Sequence, residues 1–250
     1  MKTSIIKKTS FYVLGILFIV LVWVISSKVV NNEIIIPSFK SVLNSLVSLL
    51  KNGETYVSIL NTILKLFIVI AICVVVALSF SVLAYYIDWF ESFISPLVAL
   101  LRTIPVATIS IILLIMIGTK KSPYFICGLV VLPILYESFL TSLKGISKGI
   151  IEETKMLTKT TPYVIYKVYL PMIAPYIISS IIASIGLGLK VMVMAEFISQ
   201  TPNTIGYSLN EEKMFLEISN VFSWTIILIA FILIVEVVLK YVQKKMAEKF

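Results

Sequence analysis

Long apolar runs alternate with short polar breaks along this chain. A helix needs about 20 mostly apolar residues to cross a bilayer. Six runs approach or exceed that length: Phe11–Ser26, Ile59–Tyr85, Leu97–Ile117, Tyr124–Leu143, Met172–Ala195 and Val221–Tyr241. The second is long enough to tilt or to begin outside the bilayer. Between the first two lies a segment after Pro37 in which Val42, Leu43, Leu46, Val47, Leu49 and Leu50 recur at helical spacing. It is too short and too polar to span, and predicts an amphipathic surface helix over about 38–50. The fourth and fifth runs are separated by a long polar island, 150–171, which predicts a helical hairpin projecting into water.

Composition supports the pattern. Hydrophobic residues make up 59% of the 250, and mean hydropathy is +1.05, well above a soluble domain. The expected fold is all-α: one polytopic membrane domain over 1–250 with about six transmembrane helices. The net charge of +8 resides in lysines at the ends of runs, which marks loop orientation rather than nucleic-acid binding. With the N-terminus inside, twelve lysines (at 2–8, 144–167 and 240–249) fall in the cytoplasm and six outside. That balance puts both termini and the island on the cytoplasmic side, with Lys120-Lys121 as an exception. Lys2, Lys7 and Lys8 ahead of the first run resemble a signal peptide, but no small-x-small cleavage site follows, so the run reads as a retained span. Cys73 and Cys127 sit inside apolar runs without metal spacing and read as small packing residues. Histidine is absent, and no metal set is legible.

Within the island, Gly149 can begin a first helix. Glu152 then falls at its third position, facing the positive end of the dipole. Lys155 and Lys159 follow at pairing distance, and Ile151, Met156 and Leu157 add apolar contact surface. Thr161-Pro162 predicts the start of a second helix, which Leu170-Pro171 ends.

The order of residues here resembles the permease subunits of binding-protein-dependent ABC importers, whose cytoplasmic loop reads E-A-A-x3-G-x9-I-x-L-P. Glu152-Glu153-Thr154 stands at E-A-A, Thr158 at the glycine, and Val168-Tyr169-Leu170-Pro171 at I-x-L-P. The leading Glu and terminal Leu-Pro match; the alanines and the glycine are replaced. Leu101-Arg102-Thr103-Ile104-Pro105, Pro175-Tyr176-Ile177, Ala195-Glu196-Phe197-Ile198 and Thr204-Ile205-Gly206-Tyr207 are similar to segments of the nitrate, sulfonate and taurine branch. The surface helix after Ile36-Pro37-Ser38 also has a counterpart there. The resemblance thus covers nearly the whole chain.

It implies a type I importer permease in a bacterial or archaeal inner membrane, working as a pair, most simply a homodimer. Glu152, Glu153, Met156, Leu157, Thr158, Leu170 and Pro171, within a loop of about 145–170, would couple it to a cytoplasmic ABC ATPase dimer. An extracellular binding protein would deliver a small solute, nitrate-, sulfonate- or taurine-like, or a thiamine-precursor-like one. The chain has no phosphate loop of the G-x-x-x-x-G-K-[ST] kind, so ATP would be bound by the partner and the chain itself would be neither an enzyme nor a cofactor carrier.

Charges inside spans are functional candidates. Arg102 could snorkel or gate, and Glu137, deeper in the fourth span, has Arg102 or a polar neighbour as partner. Lys190 and Glu196 suggest an ion pair near the outer end of the fifth span, and Lys190 leans toward an anionic solute. Ser180, Ser184 and Gly188 line one helix face, either for internal packing or as the seam between two copies. Glu236 and Lys240 are spaced as an intrahelical pair. Pro105 and Pro133 predict kinks. A secondary transporter or channel acting alone remains the alternative, favoured by transport without an ATPase; such folds more naturally show two similar halves. A membrane enzyme would need a catalytic cluster that the sequence lacks.

Overall fold

The computed structural model describes residues 2–157 and 164–247, and every regular element among them is helical. In chain order these are α1 (Lys2–Val30), α2 (Phe39–Lys51), α3 (Gly53–Tyr86), α4 (Asp88–Thr103), α5 (Val106–Ile117), α6 (Ser122–Lys144) and α7 (Lys148–Leu157). A π-helical turn (Ile165–Tyr169) then leads into α8 (Leu170–Ser199), followed by α9 (Ile205–Met214) and α10 (Ile218–Ala247). Four described helices are long and apolar enough to cross a bilayer; counting the bent pair α4–α5 as one span makes five. In α1 the described apolar stretch, Leu14–Val30, is shorter.

The 34 residues of α3 extend about 51 Å at 1.5 Å per residue. That exceeds a hydrocarbon layer of about 30 Å, as expected for a helix that tilts or begins outside it. α3, α6 and α8 form the centre. Leu66, Ile126, Leu135, Phe139, Leu189 and Met192 are fully buried between them. Lipid supplies no hydrophobic drive for helices to associate, so close packing must supply it. Gly188 permits this, because a Cβ there would meet Leu66 Cδ1 at 3.0 Å and Val131 Cγ2 at 3.4 Å. Apolar side chains such as Phe18, Ile72, Ile115 and Leu233 stay exposed on outer faces, where lipid can cover them.

α2 forms where the amphipathic pattern predicts it. Ser38 caps it by accepting from the Ser41 amide at 3.1 Å. It packs on the start of α10: Ser223 Oγ donates to the Val42 carbonyl at 3.0 Å, and the Ser41 and Ser219 hydroxyls lie 2.8 Å apart. Trp23 of α1 joins this corner, stacked on Phe222 and donating to the Pro37 carbonyl at 3.1 Å.

Three expectations need correction. The run Leu97–Ile117 is not one continuous helix, because α4 and α5 meet at 100°, a sharper break than the kink expected at Pro105. Pro105 has no N–H and drives the residue before it out of the helical region, and Ile104 is extended at φ −70°, ψ 126°. α6, by contrast, runs unbroken through Pro133. Next, α7 starts at Lys148, so Glu152 lies just past the first turn and gains less from the dipole than its expected third position would give. Finally, Leu170-Pro171 does not end a helix. The π turn passes directly into α8, with Pro171 in its first turn. A proline ring clashes with the carbonyl four residues back, and a π turn changes that spacing locally.

Candidate functional site

Three regions concentrate the polar chemistry. At one end of the bundle, between α6 and α8, lies α7. A small apolar plug seats it: Leu143, Ile146, Val164, Tyr169 and Ile173 are buried together, with Ile150 and Tyr85 against them. Above the plug, Glu152 is exposed and Met156 is 86% exposed. Thr154 Oγ1 donates back to the Ile150 carbonyl at 2.6 Å. Leu170 and Pro171 are half-buried at the base. The backbone of α7 includes Ile151, Glu153, Lys155 and Leu157, but their side chains lie outside the described residues, as do Thr158, Lys159 and Thr161-Pro162. Sequence reasoning missed the plug. Its signal was the recurrence of Val164, Val168 and Tyr169 inside a stretch otherwise read as polar.

The second region is an open cleft of about 490 Å³ in the wall formed by α6 and α8, beside the end of α4. It is lined by Arg102, Ile134, Glu137, Ser138, Thr141, Ser142, Tyr176, Ser179 and Ser180. Arg102, on the last turn of α4 before the bend, pairs with Glu137. Both remain open, with side chains 52% and 41% exposed. The Ser138 and Ser180 hydroxyls bond across α6 and α8, and Ser180 also donates to the Tyr176 carbonyl at 2.8 Å. Of the three small residues expected on one face of α8, only Ser180 reaches the cleft. Ser184 and Gly188 are buried within the chain, so they do not form a seam between copies; they let α8 approach α3 and α6. Cys127 confirms that closeness, its Sγ lying 3.5 Å from the Gly188 carbonyl.

The third region closes the opposite end. Glu196 is fully buried, and its expected partner Lys190 is not its partner. Lys190 is exposed, and six residues of helix turn the two onto different faces. Glu196 instead receives Lys65 Nζ at 3.3 Å, the Thr62 hydroxyl at 2.8 Å and the Gly206 amide at 3.5 Å. Thr62 Oγ1 in turn accepts from the Ile205 amide at 3.1 Å. A Cβ at Gly206 would lie 2.4 Å from Phe197 N, so only glycine fits. The two motifs Ala195-Glu196 and Ile205-Gly206 are therefore halves of one clamp that folds α9 back onto α8 and α3. Lys65 was not singled out from the sequence, although it is the one cation in the run Ile59–Tyr85. Glu236 and Lys240 pair along α10 at 3.0 Å, as their spacing predicts.

A membrane bundle of helices with a bent pair, an exposed helix α7 at one end and a charged cleft in its wall has the anatomy of a transport protein. Residues 81–248 match the family described as binding-protein-dependent transport system inner membrane component, and the chain belongs to that family. The match covers most of the chain, including the α7 hairpin, the cleft and Glu196. No curated protein matches the chain. The protein is thus a transmembrane permease component of an ABC importer, whose family works with a separate ATPase subunit and a binding protein.

Proposed function

We propose that this chain forms, with a second copy of itself, the membrane pathway of an ATP-driven importer for a small solute, in the manner of the nitrate, sulfonate and taurine branch. Both termini and the α7 hairpin lie in the cytoplasm, as the lysine distribution favours. α7 seats in a groove of a cytoplasmic ATPase dimer. An extracellular binding protein delivers the solute at the end closed by the Glu196 clamp.

The observation that carries this reading is the build of the hairpin. Val164 and Tyr169 are buried in the plug while Glu152 and Met156 stand free. A rigid base with an exposed acidic and apolar tip suits a helix that transmits movement from a soluble partner to the spans. Glu137 and Ser180 on α6 and α8 follow the same rigid elements into the cleft.

The test is the Glu152→Lys variant, co-expressed with the ATPase and reconstituted with the binding protein. The expected result is that ATPase co-purification falls at least about tenfold, equivalent to about 1.4 kcal/mol, or that solute uptake is lost while ATP hydrolysis persists. Unchanged assembly together with unchanged coupled uptake would remove α7 as the coupling element.

A further inference from the structure

In the proposed orientation Lys120 and Lys121 lie outside, against the positive-inside trend. Both are exposed, and neither forms an ion pair with a described residue. The turn that carries them is held in place. Gly118 takes φ 79°, the Ser122 amide donates to the Gly118 carbonyl at 3.2 Å, and the Thr201 hydroxyl donates to the Thr119 carbonyl at 2.8 Å. Next to this turn, α3 and α6 leave an apolar groove of about 320 Å³. Tyr124 lines its upper end, and the exposed side chains Ile72 and Phe125 rim it. Gly128 and the buried Cys73 line it deeper. A Cβ at Gly128 would lie 3.8 Å from Cys73 Sγ and Val69 Cγ1, an ordinary contact. Packing therefore does not require glycine there, and glycine is costly inside a helix. Its effect is to keep the groove open.

We propose that the two lysines and the groove form one site for an anionic phospholipid, with its phosphate at Lys120 and Lys121 and one acyl chain in the groove. Lys121 already has helical backbone angles, φ −97° and ψ −31°. Lys121, Phe125, Gly128 and Leu132 therefore fall on one stripe of α6, at i, i+4, i+7 and i+11. The cation continues the line of the groove toward the membrane surface. From Tyr124 to Leu132 the groove runs about 12 Å along α6. One leaflet's half of the hydrocarbon layer is about 15 Å deep, so the groove fits within a single leaflet, the one opposite α7. Charges are costly in hydrocarbon, which sets the lysines at headgroup level. A zwitterionic headgroup there brings its own cation against two ammonium groups. An anionic headgroup leaves its phosphate uncompensated, and the lysines supply the missing charge. A second copy seated on this face would instead bury two unpaired cations, which is unfavourable.

The experiment uses the permease–ATPase complex in phosphatidylcholine nanodiscs, carrying Phe125→Trp as a fluorescent reporter on the groove rim. The parent chain reads the background of Trp23, Trp89 and Trp224. Phosphatidylglycerol or phosphatidylcholine with a brominated acyl chain is titrated in, and quenching of the reporter is measured. A lysine at the surface favours an anionic headgroup by roughly fivefold. With two lysines, brominated phosphatidylglycerol is expected to reach half-quenching at a mole fraction about tenfold lower than brominated phosphatidylcholine. Lys120→Gln together with Lys121→Gln is expected to make the two lipids equal. Gly128→Leu, which fills the groove, is expected to weaken quenching by phosphatidylglycerol several-fold with both lysines intact. Inorganic phosphate is expected to reduce the preference no more than sodium chloride of equal ionic strength.

Equal half-quenching by the two lipids, or a preference that survives the double lysine variant, overturns the site. So does a reporter that no brominated lipid quenches, which is the result expected if a second copy covers the groove. A preference abolished by phosphate but not by chloride assigns the lysines to a free anion and overturns the lipid. Unchanged quenching in Gly128→Leu overturns the seat of the acyl chain. Should that variant fail to fold, the lysine variants, which alter only exposed side chains, still decide. The importer reading is tested separately by Glu152→Lys and stands or falls without this site.

Discussion

At the scale of single residues, Glu196 is the one fully buried charge among the described residues. Its carboxylate is fully buried and holds Lys65, Thr62 and the Gly206 amide at once. Replacing one member of such a pair leaves a desolvated charge behind, at a cost of about 3–5 kcal/mol. Glu196→Gln is therefore expected to lower the unfolding midpoint sharply in thermal scans. Lys65→Met added to it should recover most of the loss, since no cation is then stranded. A single variant as stable as the parent, or a double variant no better than the single, would show that the clamp is not a charge pair in energetic terms. Glu196 was legible in the sequence as an acid toward the outer end of the fifth span; its burial and its partner were not. Lys190 lies closer along the chain, but helix geometry rather than sequence distance sets which faces meet, and Lys65 comes from another helix altogether.

Among elements, the hairpin base and the corner between α9 and α10 are the informative ones. The π turn at Ile165–Tyr169 lets Pro171 sit inside a continuous helix. Pro171→Ala removes the ring clash and allows an α-helical turn, which would rotate the hairpin against α8 by about 100°. Spin labels at the exposed positions Met156 and Tyr176 are expected to report a shifted distance distribution in that variant; an unchanged distribution would mean that packing by Tyr169 and Val164, not the proline, holds the turn.

At the corner after α9, burial pushes the Glu212 carboxyl above the usual range. The Asn220 amide, 2.9 Å away, opposes the shift, while Glu217 and Glu211 add to it. The folded corner thus binds the proton more tightly than the unfolded chain, so its stability falls as pH rises from the ordinary glutamate range through the raised value. Glu212→Gln should match the parent in melting temperature at about pH 4 and exceed it at about pH 8. A constant gap between the two across that range would contradict the assignment. Apolar runs located α2 and α6 to within about two residues at each end, and α3, α8 and α10 to within about six. The kink expected at Pro105 is the α4–α5 break, whereas Pro133, expected to kink its span as well, is accommodated within an unbroken α6, because a proline's effect on an apolar run depends on what packs on either side.

Over the whole molecule, sequence and tertiary structure divided the work along physical lines. Hydrophobicity and its period are local quantities, and lipid demands that backbone groups be satisfied within each segment. The class, the helical fold, the polar island and its family pattern were therefore readable from the chain alone. The same reading left Glu137 with Arg102 or a polar neighbour as partner, and the packed bundle pairs it with Arg102. Which residues meet across helices is not local. Only the packed bundle placed Ser184 and Gly188 inside the chain while leaving Ser180 on the cleft, and moved Glu196 from Lys190 to Lys65. It also buried Val164 and Tyr169 under a hairpin that the sequence presents as polar. Rotation about each helix axis set those outcomes, and that rotation is chosen by close packing among α3, α6 and α8, where a single methyl at Gly188 would press on Leu66 and Val131, and of α9 on α8, where one at Gly206 would not fit.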